Sequence, residues 1–572
     1  MPQHSARSNS VSGASRLVVL IHAYTLKARS LDAVESTIRK VPGFAGADMV
    51  RPDLPMGMFS AANMNALVEH VLHLIDEAWK KKAYEELYFV GHSVGGLIAR
   101  KVYIVSQGET DEAPFEEVFR GQQRRAWANN VERIVLLAGM NRGWRVSHHL
   151  SMSTAIAATI GTLIGRLLEI VSGKKLLIFQ LHRGAPFLTQ LRLQWLAMRK
   201  KQGEKDDVTS ATTIQLLGSI DDIVSPEDNI DLISGRDFIY LDVGFSGHRN
   251  VIEMSDPQHG KARSEQLIKA LSSPVSDLQN ETVQVSDFRA RQIDLSVRHV
   301  IFVVHGIRDA GYWTQKIARR VARVAGKDRK FAMVTSSYGY FPMAPFLMAA
   351  KRREKVEWMM DQYAEAKACY PNAQFSCIGH SNGTYLIAKA LELYPACRFE
   401  RLVFAGSVVQ QGYHWRTLLQ AQRGGRVHRV TNYVASRDWV VAWFPKFFQF
   451  IGLQDIGSAG HDGFDEEIEG KVEDRRFVRG GHAAALDERN WDAIAHFIVT
   501  GDVPKVPEEL RAKRRAFWVE APGFCPPIVW IIIIALLLLG ARTIFVHVAD
   551  PAARTIAIIA YLWVIWQVLT RV

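Results

Sequence analysis

Residues 87–96 have the sequence LYFVGHSVGG, an apolar run that ends in a serine with glycine two positions away on either side. A short apolar run bounded by glycine is typical of a buried strand in a parallel sheet, and a helical pattern follows at once. Ser93 therefore sits on a sharp strand-to-helix turn, in the G-x-S-x-G pattern of a nucleophile elbow. The small neighbours suit a strained turn, and the helix N-terminus favours developing negative charge.

The same landmarks occur a second time and in the same order. Residues 375–384, with the sequence FSCIGHSNGT, form a second candidate elbow around Ser381. An apolar run ending in HAY at residues 22–24 precedes the first elbow, and one ending in HGI at residues 305–307 precedes the second. Two later pairs also match: GSID at 218–221 with ASRD at 435–438, and GH at 247–248 with GH at 481–482. The chain therefore carries a domain-sized repeat.

Strands that alternate with helices predict a mostly parallel α/β sheet in each copy, and 572 residues are too many for one core. Residues 1–16 are polar and Ser-rich, which predicts a disordered lead-in, with a cleaved transit peptide as the alternative. The remaining predicted segments are a first domain at 17–270 with an insertion at 143–210, a linker at 271–295, a second domain at 296–505, a basic juxtamembrane segment at 506–525, and apolar segments at 526–548 and 555–569.

Each copy contains the residues of a Ser-His-Asp triad in the order serine, acid, histidine. A serine hydroxyl becomes a good nucleophile when a histidine accepts its proton, and a carboxylate orients that histidine. The predicted catalytic residues are Ser93, Asp221 and His248 in the first copy, and Ser381, Asp438 and His482 in the second. Asp222 is the alternative to Asp221, and His461 is the alternative to His482.

An oxyanion hole in such a site needs one N–H from the residue after the nucleophile and one from the loop after the early strand. The candidates are Val94 with Ala23 or Tyr24 in the first copy, and Asn382 with Gly306 or Ile307 in the second. Serine, histidine and aspartate supply this chemistry themselves, so we expect no cofactor and no metal. The four cysteines form no CxxC pair and have no histidines at metal-ligand spacing.

Both halves resemble α/β-hydrolases of the lipase and esterase type. The HSVGG elbow at residues 92–96 is most similar to lipases and to the GPI inositol-deacylase-like branch. The resemblance covers nearly all of residues 16–500 and implies Ser-His-Asp chemistry, without specifying a substrate. The chain departs from the pattern at Ala23, where glycine is usual, and at Thr384, where the first copy has Gly96.

The C-terminal segments indicate a membrane. A net charge of +12 suits nucleic acid or an anionic bilayer equally well, but two long apolar segments favour the bilayer and argue against nucleic acid. Basic residues precede the first segment and follow the second, while the loop between them has only Asp550 and Arg554. The positive-inside rule then predicts a two-helix transmembrane hairpin, with both ends and the large domains in the cytoplasm.

The insertion at 143–210 is the largest difference between the copies. Residues 156–170 have an amphipathic pattern, and basic residues surround them. This segment is either a helix lying on an anionic bilayer or a cap packed on its own domain. Because only the first copy has it, we expect Ser93 to act on the bilayer-resident substrate.

Two functions fit these features. The first is a membrane-anchored serine hydrolase that cleaves carboxylic esters or thioesters of lipid or acyl substrates through an acyl-enzyme. The second is a membrane adaptor or regulatory protein, in which one or both hydrolase-like domains bind without catalysing, because a fold alone does not guarantee its chemistry.

Overall fold

A computed structural model of the chain describes residues 14–144, 175–203, 210–219, 238–282, 293–309, 311–326, 330–419, 425–502 and 505–570. The chain divides into two compact units, Met1–Arg291 and Gln292–Val572. The predicted acids Asp221 and Asp222, and the amphipathic segment at 156–170, lie outside the described residues.

The described part of the first unit alternates strands with helices. Its strands are β1 Arg16–Ile21, β2 Asp48–Val50, β3 Glu86–His92, β4 Val131–Leu137, β5 Thr212–Gly218 and β6 Phe238–Val243. Its helices are α1 Asp32–Ile38, α2 Met64–Lys81, α3 Val94–Ser106, α4 Leu177–Gln180, α5 Pro186–Gly203, α6 Gly260–Ser272 and α7 Val275–Asn280.

The second unit begins in the same way and continues into the C-terminal helices. Its strands are β7 His299–Val304, β8 Phe331–Val334, β9 Gln374–His380, β10 Phe399–Ala405, β11 Val427–Ala435 and β12 Val472–Val478. Its described helices are α8 Tyr312–Ala325, α9 Met343–Leu347, α10 Ala349–Cys369, α11 Asn382–Leu393, α12 Trp415–Leu419, α13 Trp439–Trp443, α14 Pro445–Ile451, α15 Ala459–Asp462, α16 Trp491–Thr500, α17 Phe517–Gly523, α18 Pro526–His547 and α19 Pro551–Thr570.

In the described residues, each unit contains one six-stranded sheet, and all of its strand pairings are parallel. The order is β2-β1-β3-β4-β5-β6 in the first sheet and β8-β7-β9-β10-β11-β12 in the second, which is the same topology. This confirms the predicted pair of parallel α/β sheets. The strand order reverses between β1 and β3, and between β7 and β9, and such a switch point leaves a crevice at the carboxyl ends of the strands.

The central strands are almost continuously apolar because helices cover both faces of each sheet. Leu17 to Ile21 of β1 are fully buried. On one face of the first sheet, Val18 and Leu20 meet a core that includes residues of α1 and α6, and the second sheet packs in the same way against α8 and α16. Burial on both sides fixes the strand register, and with it the position of the loops that follow each strand.

Two predicted connecting segments are integral parts of the units. Within the predicted linker at 271–295, residues 275–280 form α7, and its Leu278 is fully buried in the first core. The basic segment at 506–525 runs along the edge strand of the second sheet, where Arg511 forms an antiparallel bridge with Val478. Farther along the segment, the Ala516 N–H donates to the Ser436 carbonyl at 2.9 Å. Nothing in the sequence pattern indicates this packing, because most residues of both segments are polar or charged.

The insertion at 143–210 is described in part, and that part packs on its own unit. Helix α5 lies against α3, and Lys101 of α3 donates to Gln194 of α5. Arg192 is only 1% exposed, and the Arg199 guanidinium lies 4.6 Å from the centroid of the Trp195 ring. Both residues belong to the basic residues around the amphipathic segment, and both are engaged within their own unit, where a flat guanidinium can stack on aromatic rings.

Helix α18 has the length and composition of a membrane-spanning helix, with 22 residues and no part of its apolar stretch buried. Helix α19 follows it and contacts it, and the Tyr561 hydroxyl donates to the Leu537 carbonyl at 2.8 Å. No membrane is part of the structure, so α18 supports membrane association by its length and apolar surface alone.

We expect the Lys101–Glu116 pair to stabilise the helix that carries the first elbow. The Lys101 ammonium is fully buried, 2.7 Å from the Glu116 carboxylate, and burial lowers its pKa although Glu116 opposes that shift. Glu116→Gln should cost about 3 kcal/mol or more, because it leaves a buried charge without its counter-charge. Amide hydrogen exchange of residues 94–106 measures the loss of protection. Glu77→Gln, which breaks an exposed pair with Lys80, is the control and should leave the protection of residues 94–106 nearly unchanged. Equal protection in the two variants would contradict the expectation.

Candidate active sites

Both elbow serines have a backbone conformation that is unusual for any residue other than glycine. Ser93 has φ +52° and Ser381 has φ +51°, and each immediately precedes a helix, α3 or α11. The N–H of Ser93 donates to the Leu137 carbonyl, and that of Ser381 donates to the Ala405 carbonyl, both at 2.9 Å. Strained serines held in this way by the neighbouring strand are typical of functional sites.

The second glycine of each elbow lets α3 or α11 approach the first strand of its sheet. A Cβ on Gly95 would lie 2.2 Å from the Ile21 carbonyl oxygen, and one on Gly383 would lie 2.4 Å from the Val304 carbonyl oxygen. No side chain fits in either place. The serines are thereby placed at the switch points, beside the loops that follow β1 and β7.

In the first unit the structure joins two of the three predicted catalytic residues. His248 Nε2 lies 2.7 Å from Ser93 Oγ, and both residues are buried. At this distance the imidazole can accept the serine proton. Asp221 and Asp222 lie outside the described residues, so the acid of this unit stays a prediction.

In the second unit the structure brings together the predicted histidine and the predicted acid. His482 Nδ1 lies 3.0 Å and 3.1 Å from the two carboxylate oxygens of Asp438, which is fully buried. Within the described part of this unit, no hydrogen bond joins Ser381 Oγ to His482. Gly406 has φ +54° and packs against the His482 ring, where a Cβ would lie 2.8 Å from Cε1.

Asp438 sets the protonation of His482. Burial alone would lower the pKa of His482, but the charge of the Asp438 carboxylate and its hydrogen bond together raise that pKa above its ordinary value. A histidine acting as a general base must be neutral, so a raised pKa moves the acidic limit of its activity to higher pH.

The alternative His461 lies apart from this hydrogen bond. It is buried in α15, with Nε2 3.8 Å from the neighbouring Asp462 carboxylate, and burial lowers its pKa to about 4. The hydrogen bond to Asp438 is made by His482.

Each predicted catalytic histidine has a second histidine beside it. The sequence analysis gave neither of these second histidines a role. In the first unit, His92 Nε2 lies 2.8 Å from the His248 carbonyl oxygen. In the second unit, the His380 ring centroid lies 5.0 Å from that of His482. Burial, followed by the nearby His482 charge, lowers the pKa of His380 to about 3, so this ring stays neutral. The signal was the histidine that precedes the serine in both elbows.

Several of the predicted oxyanion residues lie beside the two elbow serines. Val94 and Asn382 are the first residues of α3 and α11, where backbone N–H groups have no partner within the helix. On the opposite side, Gly306 lies so close to Ser381 that a Cβ on it would come within 2.8 Å of the serine Cβ. Ala23 occupies the corresponding loop position in the first unit and is buried.

Buried histidines hold both of these loops. His22 Nδ1 lies 2.9 Å from the Ala23 carbonyl oxygen, and its Nε2 accepts a hydrogen bond from the Leu54 N–H. His305 Nδ1 makes the same contact with the Gly306 carbonyl oxygen at 2.9 Å. These histidines belong to the HAY and HGI motifs, and they position the loops that carry the candidate N–H donors.

Tyr338 connects the two oxyanion candidates of the second unit. Its buried hydroxyl lies 2.8 Å from the Gly306 carbonyl oxygen and accepts a hydrogen bond from the Asn382 amide at 3.1 Å. Burial raises the pKa of Tyr338, so the hydroxyl keeps its proton and remains a donor. The sequence gives no motif for this tyrosine, because it comes from the loop between β8 and α9.

Within the described ranges, no three histidine, cysteine, aspartate or glutamate side chains are grouped as a metal site requires. Cys369, Cys377 and Cys397 are buried free thiols, and Cys525 is partly exposed.

No protein-family model matches this chain, and no curated protein sequence matches it either. Among solved structures, a monoacylglycerol lipase from Paleococcus ferrophilus is similar, with 15% identity, a TM-score of 0.26, and coverage of 44% of this chain and 94% of the lipase. The RedJ thioesterase of Streptomyces coelicolor has 16% identity, a TM-score of 0.26, and coverage of 47% and 91%. A lipase-esterase related protein from Clostridium acetobutylicum has 12% identity, a TM-score of 0.27, and coverage of 44% and 93%.

We expect His482 to titrate above the ordinary histidine value of about 6.5. Asp438→Asn should bring its pKa below that value, because burial then acts without the carboxylate charge. Histidine-selective NMR titration measures both values, with the resonance assigned by its loss in His482→Gln. His428, an exposed histidine at the start of β11, serves as the internal control and should titrate identically in both proteins. A His482 pKa that is unchanged in Asp438→Asn would show that the carboxylate does not control this ring.

Proposed function

We propose that the chain is a membrane-anchored serine hydrolase of the α/β-hydrolase type, which cleaves carboxylic esters or thioesters of lipid or acyl substrates. The observation that carries this proposal is the 2.7 Å contact between Ser93 Oγ and His248 Nε2, with the serine strained at the switch point of a parallel sheet. The Asp438–His482 pair at the same place in the second unit supports it.

In the first step, Ser93 Oγ attacks the carbonyl carbon of the substrate while His248 accepts the hydroxyl proton. The negative charge on the carbonyl oxygen is stabilised by the N–H of Val94 and by that of Ala23 or Tyr24. The tetrahedral intermediate then breaks the bond to the leaving group, which takes the proton from His248. A water molecule repeats the sequence on the acyl-enzyme and releases the carboxylic acid.

The second unit would follow the same path with Ser381, His482 and Asp438. Here Asp438 fixes the imidazole with its proton on Nδ1, which leaves Nε2 free to accept the serine proton. Asn382 with Gly306 or Ile307 would stabilise the oxyanion, and Tyr338 holds that loop in place. In the structure Ser381 still lacks its bond to His482, and a contact of this kind often tightens only when substrate binds.

A second candidate function is favoured by that missing bond. In this case the first unit is the enzyme, and the second is a binding or regulatory module next to the membrane helix. The two candidates differ in one measurable property, the reactivity of Ser381.

For the anchor, we propose that α18 and α19 cross the bilayer as a hairpin, with both folded units on the cytoplasmic side. Arg511, Lys513 and Arg514 are basic and exposed just before α18, and Arg571 follows α19. This distribution fits the positive-inside rule and an anionic inner leaflet.

A fluorophosphonate probe should label the folded protein at two sites, because it reacts with serines activated by a histidine. Ser93→Ala and Ser381→Ala should each retain one label, and the double variant should retain none. Intact-protein mass spectrometry counts the labels, and the exposed Ser272→Ala is the control, which should retain both. Labelling of Ser93 alone would favour the second candidate function, and no labelling of either serine would refute the enzyme.

A chain ending at Cys525 should leave the membrane fraction under alkaline carbonate, because it keeps α17 and loses both apolar helices. A chain ending at Val548 keeps α18 and should stay in the pellet. Immunoblotting of pellet and supernatant gives the result. A chain ending at Cys525 that still pellets in carbonate, while remaining folded, would contradict an anchor formed by these helices.

A further inference from the structure

The second unit carries an exposed aromatic and apolar surface around the start of α18. We call it the collar, and it consists of Trp439, Phe450, Ile451, Leu453, Phe517, Trp518 and Phe524. Phe450 is 64% exposed, Phe517 81% and Phe524 84%. A contiguous exposed patch of large apolar side chains marks an interaction site, since folding alone would bury them.

Contacts with α18 place the collar at the depth where that helix would enter a bilayer. Trp530 lies in the first turns of α18, about 6 Å along the axis from Pro526 at 1.5 Å per residue. Its indole N–H donates to the Trp443 carbonyl at 2.8 Å, and its ring lies 5.5 Å from the rings of Phe444 and Phe447. Helices α13, α14 and α17 all contact α18. The helices that carry the collar residues Trp439, Phe450 and Phe517 therefore all contact α18.

The composition of this surface fits the boundary between headgroups and acyl chains. Tryptophan and other amphipathic aromatic residues are enriched at that depth, and nearby basic residues attract anionic headgroups. Lys513 and Arg514 are exposed a few residues before Phe517.

The collar is directly connected to the candidate acid of the second unit. Asp438 caps α13, since its carboxylate accepts a hydrogen bond from the Val441 N–H at 3.1 Å, and the same carboxylate binds His482. Trp439, the next residue, is 49% exposed in the collar. The acid therefore lies within one helical turn of the aromatic surface.

The oxyanion loop of the second unit, like its acid, is connected to the apolar helices. The loop that holds Gly306 through Tyr338 continues to Phe341, whose carbonyl accepts a hydrogen bond from the Arg308 N–H at 3.1 Å. Helix α9 follows this loop and contacts α19. Both the acid and the oxyanion loop of the second unit are therefore joined to elements that rest on α18 or α19.

From this arrangement we propose that the collar docks on the bilayer leaflet that α18 enters, and that Ser381 takes a bilayer-resident acyl ester from this leaflet. The proposal rests on the proposed hydrolase function and deepens it by naming the substrate class of the second site. It assigns the bilayer substrate to Ser381, whereas the sequence alone favoured Ser93.

The docking is tested first without catalysis. A thiol-reactive NBD label is attached to Phe450→Cys, in a Cys525→Ser background, after reconstitution into phosphatidylcholine–phosphatidylglycerol vesicles. Asn372→Cys is the matched control, because it precedes β9 at the amino edge of the sheet, about 20 Å from the carboxyl edge. Headgroup-proximal spin-labelled lipid should quench the label at position 450 several-fold more than at 372. Equal quenching would overturn the docking.

The substrate assignment is tested in a Ser93→Ala background with two esters that share one leaving group: p-nitrophenyl palmitate in the same vesicles and p-nitrophenyl acetate in solution. Phe450→Ser combined with Phe524→Ser should lower turnover of the palmitate at least about tenfold, since two exposed aromatic contacts with lipid are lost. Acetate turnover should stay unchanged, because neither residue belongs to the site.

An equal effect on both esters, or on neither, overturns the proposal and leaves the hydrolase function standing. Loss of all acetate turnover in Ser93→Ala itself would instead refute catalysis by Ser381, while the quenching result would still decide the docking.

Discussion

Close contact between each elbow and the first strand of its sheet is the constraint on which both candidate sites depend. Gly95 and Gly383 allow α3 and α11 to start against the backbone of β1 and β7, and the preceding serine is forced into a left-handed conformation. Hydrogen bonds to the adjacent strand hold that conformation, so the stability of the sheet offsets the backbone strain of the serine. A loop at the same edge of the sheet then needs only to place the histidine beside the serine.

The sequence was sufficient for those parts of the fold that follow from local patterns. Apolar runs buried on both faces predicted the parallel strands, and the spacing of glycines around Ser93 and Ser381 predicted the turns. Within each predicted triad the side chains come from loops far apart in sequence, so their order could be predicted but the distances between them could not. The Ser93–His248 contact and the Asp438–His482 pair are products of the tertiary structure.

Packing that depends on isolated long-range contacts escaped the sequence analysis. A basic residue gives the same sequence pattern on a bilayer and inside a domain, and the burial of Arg192 is seen only in the folded unit. Likewise Tyr338 is one tyrosine in a loop until the fold brings it to Gly306 and Asn382. The sequence contains the aromatic residues of the collar, but it does not indicate that they lie beside α18.

The way in which the segment before α18 joins the second unit also bears on how such a chain can evolve. A C-terminal tail that follows a flexible linker can be gained or lost by recombination without consequence for the domain before it. Here the segment bridges β12 through Arg511 and binds Ser436, two residues before Asp438. Exchange of the tail would therefore expose an edge strand and disturb the acid. The tail and the second unit are therefore expected to be inherited together.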